Sequence, residues 1–142
     1  MGTWHEIARY PNFFERNCAR DVTAKYARNA DGTIRVVNAC RDEAGALIRA
    51  EGVARVVGPA RLEVRFAPAW LAWLPLVWGD YWVIGLGPDY SYAVVGTPSR
   101  EFLWILARDP DMDEVTFARI TSGLAAVGFD PARLERSVRR PH

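Results

Sequence analysis

Gly79 to Arg108 reads GDYWVIGLGPDYSYAVVGTPSREFLWILAR. Apolar and aromatic residues fill three runs, and Gly87-Pro88-Asp89 and Thr97-Pro98-Ser99 interrupt them. Runs of this length between turn-forming residues predict three successive strands. A meander needs partners for its two edges, so it ends in a sandwich or a closed barrel. Trp4 lies near the start of the chain and Arg108 ends the meander. If the first and last strands meet, the Arg108 guanidinium can lie over the Trp4 indole, an attraction of about 0.5–2 kcal/mol.

Working outward, the rest of the chain supplies five more strands. Thr3–Tyr10 reads as the first, and Pro11-Asn12-Phe13-Phe14 turns the chain. Val22–Ala27 and Thr33–Ala39 form a hairpin across Asn29-Ala30-Asp31-Gly32, where Asp-Gly predicts a tight turn with positive φ at both positions. Leu47–Val57 follows, and Gly58-Pro59 ends it. Arg61–Ala67 alternates strictly, with Leu62, Val64 and Phe66 on one face and Arg61, Glu63 and Arg65 on the other. A helix over 112–127 comes after the strands. Asp111 is its expected N-cap, Glu114 completes a capping box, and Phe117, Ile120, Leu124 and Val127 make its apolar face. Gly128 suits the C′ position, with Phe129 packing back. A short ninth strand is expected over 133–138.

The alternation also says what faces inward. With the charged residues of the second to fifth strands in water, Tyr26, Val36, Asn38, Ala50, Gly52, Ala54 and Phe66 point into the fold. An eight-stranded barrel is about wide enough for packed side chains or for one small ligand. Small residues on one wall and large ones elsewhere, Tyr26, Phe66 and Trp104 among them, favour a shaped cavity. Glu6 shares the parity of Trp4. It could meet a polar ligand headgroup or be satisfied within the protein, by Tyr26, Asn38 or a buried water.

The totals narrow the function. The 142 residues suit one domain, 1–142, and the net charge of +1 with no basic patch speaks against nucleic acid. The only histidines are His5 and His142, so no metal or cofactor is expected. No nucleophile motif or dinucleotide loop is present, and no enzyme is expected. Cys18 and Cys40 flank the hairpin, and either a disulfide or two reduced thiols fits them. The simple Asp-Gly register would not set them opposite one another; a bulge or a wider loop is required. Residues 67–78 carry no charge and include Trp70, Trp73 and Trp78. Such a segment covers the barrel mouth, joins two protomers, rests on a membrane surface or packs on its own barrel. No leader is visible, so the chain is expected to be cytoplasmic if Met1 is the native start, or exported if a leader lay upstream.

Three motifs carry a family resemblance. Gly2-Thr3-Trp4 followed by Glu6-Ile7-Ala8-Arg9, then Gly79-Asp80-Tyr81, then Trp104-Ile105-Leu106-Ala107-Arg108 resemble the three lipocalin motifs in order. The chain is most similar to the bacterial lipocalin and apolipoprotein D branch. His5 stands where Tyr is common, Gly79 replaces Thr, and the lead-in before Gly2 is missing, which predicts a less covered closed end. The resemblance implies an eight-stranded antiparallel up-and-down barrel with one C-terminal helix outside. It implies carriage of small lipid-like ligands, fatty acids or lysophospholipids, without a cofactor, at a periplasmic or outer-membrane location. Trp4, Gly2 and Arg108 carry over as closure of one barrel end, and Tyr26 and Trp104 as pocket lining. The expected ligand residues are Glu6, Tyr26, Val36, Asn38, Phe66, Tyr81 and Trp104. The family's secreted habit favours a Cys18–Cys40 bond. Some lipocalins act on lipids in the pocket, so a lipid-modifying enzyme is the alternative, with an assembly or membrane role of loop 67–78 as a third reading.

Overall fold

The computed structural model describes residues 2–11, 18–58, 61–65 and 79–137. Phe66, loop 67–78 with its three tryptophans, and residues 138–142 lie outside that set. Eight strands run in chain order: β1 Gly2–Arg9, β2 Arg20–Arg28, β3 Ile34–Arg41, β4 Leu47–Gly58, β5 Arg61–Arg65, β6 Gly79–Leu86, β7 Tyr92–Gly96 and β8 Leu103–Ala107. Each pairs antiparallel with the next, and β1 pairs with both β2 and β8, so the sheet closes into an up-and-down barrel. Helix α1, Glu114–Ser122, lies outside it, and the two-residue β9, Glu135–Arg136, pairs with β1.

Register confirms the alternation on β2 to β6. Tyr26 lies opposite Val36, Val36 opposite Gly52, Ala54 opposite Val64 and Leu62 opposite Tyr81. Directly opposed residues share a face, and Tyr26, Leu62 and Tyr81 pack around Val36, Ala54 and Val64 in one cluster. On the other face, Arg35 pairs with Glu51 at 2.7 Å and Arg55 with Glu63 at 2.6 Å.

The β2–β3 turn corrects the expectation of a two-residue Asp-Gly loop. The Asn29 amide donates to the Thr33 carbonyl at 2.8 Å, and only Gly32 of the pair has positive φ. The Asp31 carboxylate accepts from the Thr33 amide and hydroxyl, which its short side chain does best from a three-residue loop. That wider loop and a bulge between Arg20 and Thr23 shift the register. Cys18 and Cys40 are thereby brought to a Cα–Cα distance of 5.6 Å and joined in a disulfide.

A second bulge, between Glu6 and Ala8, splits β1. Before it, Trp4 packs inside with Ala24, Ala93 and Leu106. After it, Ile7, Ala8 and Tyr10 join Leu103, Ile105, Ile120, Leu124 and Phe129 in a second core under the helix. The molecule thus has two apolar regions on opposite faces of one sheet.

Two helix expectations are corrected. The N-cap is Asp113, whose carboxylate accepts from the Thr116 amide at 2.6 Å; Asp111 instead donates its own amide to Asp109. The helix stops at Gly123, and a 3₁₀ turn over Ala125–Val127 leads to Gly128 in the left-handed region. The change of pitch turns Val127 outward, while Ile120, Leu124 and Phe129 stay buried. Phe129 lies over Gly96, where a Cβ would come within 2.6 Å of its ring.

Candidate functional site

The barrel interior is built from the inward positions of β2 to β8. Tyr81 and Trp104 meet with ring centroids 5.5 Å apart, and Phe102 stacks on Trp104 at 6.0 Å. Tyr26 packs against both inward clusters and so joins them. Asn38 lies between Ala24 and Ala50 in the register and faces the same space. The interior includes large side chains that stay partly open. Tyr26, Asn38, Leu62, Tyr81 and Trp104 are only partly buried, and inward-facing Ala50 is exposed. Ala8, Leu103 and Ile105 under the helix are 0% exposed. Burial on the inward face is uneven: Val36 and Ala54 are 1% and 0% exposed, while Tyr26, Asn38, Leu62, Tyr81 and Trp104 keep part of their surface open, and together they line the lumen of the barrel.

One end of that lumen is closed by side chains. The Arg108 guanidinium carbon lies 3.9 Å from the Trp4 ring centroid, and Arg108 Nη1 donates to the Thr3 carbonyl at 3.2 Å. Gly2 sits beside them with φ +86°. The contact anticipated between the chain start and the end of the meander is therefore present.

Burial sets the chemistry inside. Removal from water pushes the Tyr26 phenol up to about 12, with a smaller contribution from the Tyr81 phenol. Burial raises the Tyr81 phenol as well. Both are neutral hydrogen-bonding groups at any physiological pH.

Glu6 is 2% exposed and lies opposite Leu106. Its Oε2 accepts from Arg9 Nη1 at 3.2 Å and from Ser137 Oγ at 2.6 Å. These partners differ from the expected Tyr26 and Asn38. It borders a cleft with Pro110, Met112, Arg136 and Ser137, on the side of β1 that carries β9. Sequence reading missed Arg9 and Ser137: it expected the ninth strand over 133–138, but neither its pairing with β1 nor the β1 bulge, which together set these partners. Phe102 was also missed, although it shares the parity of Trp104. Val36 is 1% exposed beneath Tyr26. Phe66, Trp70, Trp73 and Trp78 lie outside the described residues.

A lipocalin-like domain model matches residues 1–139. The chain belongs to the lipocalin-like family. It is 39% identical to temperature-induced lipocalin-1 of Arabidopsis thaliana, over 96% of this chain and 75% of that protein. It is 33% identical to the outer membrane lipoprotein Blc of Escherichia coli K12, over 94% of this chain and 73% of that one. Among solved structures, the cockroach allergen Per a 4 superposes with a TM-score of 0.75 at 21% identity, covering 99% of this chain and 85% of that one. That last likeness concerns the fold alone. An eight-stranded barrel of this family's kind is about wide enough inside for packed side chains or one small ligand.

Proposed function

We propose that this lipocalin binds and carries small hydrophobic or amphipathic molecules, fatty acids or lysophospholipids, in the barrel lumen. The observation that carries the reading is the partial solvent access of Tyr26, Leu62, Tyr81 and Trp104, aromatic and apolar groups facing one shared space. An acyl chain that displaces water there gains roughly 25 cal/mol per Å² of apolar surface. The ligand residues proposed are Tyr26, Val36, Asn38, Phe66, Tyr81 and Trp104, with Glu6 at the β9 side. Carriage is favoured over catalysis, because Cys18 and Cys40 are bonded to each other and Glu6 is engaged by Arg9 and Ser137. The likeness to an outer membrane lipoprotein, together with the disulfide, supports an oxidising compartment such as the periplasm or outer membrane.

Trp104→Ala tests the site. The variant is expected to weaken binding of lauric acid about tenfold or more, measured by displacement of a fluorescent fatty acid, while its circular dichroism spectrum keeps the β-signature. Unchanged affinity in a folded variant would place the ligand elsewhere. Native mass spectrometry of lipid that co-purifies with the protein identifies the ligand class directly.

A further inference from the structure

The helix covers the barrel on the side of β1, β7 and β8, and the outer face of β2 to β4 lies across from it. Charge on that outer face is uneven. The positions that alternate with buried Ala24, Val36 and Ala54 point outward, and the register sets Lys25 beside Val37 and Glu51, Arg35 between Ala27 and Val53, and Ala39 beside Arg49. Over Thr23–Ala27, Arg35–Arg41 and Leu47–Arg55, the outward side chains include five cations, Lys25, Arg35, Arg41, Arg49 and Arg55, and one carboxylate, Glu51. Glu51 is held by Arg35 at 2.7 Å, and Arg55 is matched by Glu63 of β5 at 2.6 Å. Lys25, Arg41 and Arg49 have no ion pair among the described residues. A shallow groove of about 100 Å³ lies between Lys25, Arg35 and Arg49, lined also by Ala27 and Val37. The chain carries a net charge of only +1, so the rest of the molecule is net negative.

A negatively charged lipid surface attracts side chains of this kind. Each strengthens binding about fivefold when it lies within a Debye length, about 10 Å, of the headgroups. Aliphatic groups stand among the cations: Leu47 is 53% exposed, and Val37 and Val53 are half-buried. Apolar groups beside arginines suit the boundary between headgroups and acyl chains. The same outward positions include no aromatic residue. The face therefore has neither the stacking platforms of a single-stranded nucleic-acid site nor the aromatic anchors that centre a protein interface. We propose that the outer face of β2, β3 and β4 docks this protein on an anionic lipid bilayer, with headgroup phosphates seated between Lys25, Arg35 and Arg49. The order of residues hides the patch, because the register assembles it from three strands. The face lies outside the lumen, so the inference goes beyond carriage and stands or falls apart from it.

The test uses the intact chain and co-sedimentation with vesicles. Phosphatidylcholine vesicles that contain phosphatidylglycerol are expected to bind it about tenfold or more tightly than phosphatidylcholine alone, and about 0.5 M salt is expected to abolish the difference. Lys25→Gln and Arg49→Gln are each expected to weaken binding to the anionic vesicles about fivefold, and Lys25→Glu and Arg49→Glu to weaken it further. Arg119→Glu makes the same change of net charge on the exposed side of the helix, and is expected to stay within about twofold of the parent protein. Urea midpoints and uptake of a fluorescent fatty acid are expected to be unchanged in all five variants, which separates docking from folding and from carriage. Equal binding to the two kinds of vesicle overturns the proposal, and so does undiminished vesicle binding by the Lys25 and Arg49 variants. An Arg119→Glu loss as large as that of Lys25→Glu also overturns it, by assigning the attraction to net charge. Binding to a DNA duplex as tight as binding to the anionic vesicles overturns the choice of a bilayer as the partner. A protein that docks on anionic vesicles as expected but takes up no fatty acid supports the docking face and removes the carriage reading.

Discussion

A Cβ built on Gly2 lies 3.0 Å from Arg108 Nη1, and Gly2 has φ +86°. Two separate costs therefore fall on any substitution there. An L-residue in the left-handed region costs roughly 1–2 kcal/mol. The new methyl also pushes the guanidinium off the Trp4 ring and away from the Thr3 carbonyl. Gly32, with φ +88° and nothing within 4 Å of a built Cβ, carries the first cost alone. Gly2→Ala is expected to lower the unfolding free energy by about 1 kcal/mol more than Gly32→Ala. Urea midpoints of the two variants measure the difference, and equal losses would mean that the Arg108 contact contributes nothing. Tyr26 gives a second prediction at this scale. Its phenol titrates near 12 when folded and near 10 when unfolded. Below pH 10 both states keep the proton and the stabilisation is complete. Between pH 10 and 12 only the unfolded chain releases it, so stability falls as pH rises, by at most about 1.4 kcal/mol per pH unit. Tyr81 is displaced in the same direction and adds to the fall. Tyr26→Phe is expected to flatten the decline in urea midpoint between pH 9.5 and 11.5; an unaltered slope would assign it to other groups.

At the scale of elements, the β2–β3 hairpin is held at both ends by different means. Its tip is set by the Asp31 and Gly32 turn, and its base by the Cys18–Cys40 bond across 22 residues. Closing a loop of that length removes about 3 kcal/mol of unfolded-state entropy in the chain-entropy treatment. The Cys18→Ala/Cys40→Ala protein is expected to lose an amount of that order in urea unfolding. A loss below about 0.5 kcal/mol would show that the paired strands already impose the constraint. The same hairpin shows how far sequence reaches. Alternation along Arg61–Arg65 and the charges at Lys25, Arg35, Glu51 and Arg55 fix which side chains look inward, because a strand has a period of two and a charge keeps to water. Those residues made Tyr26, Val36, Asn38 and Leu62 legible as lumen positions. Bulges break that rule without leaving a mark in composition. The one after Glu6 turns Ala8 to the helix side beside Ile7 and sets Arg9 opposite Trp104, and with it goes any forecast of the partners of Glu6. The helix start is a similar case. Asp111 and Asp113 are both good caps with a residue able to accept the role three places on, and local chemistry alone does not choose between them. The outcome depends on where β8 delivers the chain, with Asp109 already turning it through the Asp111 amide.

On the scale of the whole molecule, β8 is a wall shared by two apolar regions with different tasks. Leu103, Ile105 and Ala107 face the helix and are almost completely buried, whereas Trp104 faces the lumen and is partly open to solvent. A closed core contributes stability through packing, and any void left there costs energy. A lumen works the other way, since the space withheld from side chains is what a ligand occupies. Adjacent substitutions on one strand should therefore have opposite signatures. Ile105→Ala opens a cavity between the sheet and Ile120, Leu124 and Phe129, and is expected to cost about 2–5 kcal/mol of stability while ligand affinity changes less than twofold. Trp104→Ala removes a lumen wall. It is expected to weaken ligand binding while costing clearly less stability than Ile105→Ala, because the space it leaves is already reached by water. Urea midpoints and probe affinities for the two variants, measured side by side, decide the matter. If Ile105→Ala weakens binding as much as Trp104→Ala does, the sheet transmits repacking from one face to the other, and the two regions act as a single core.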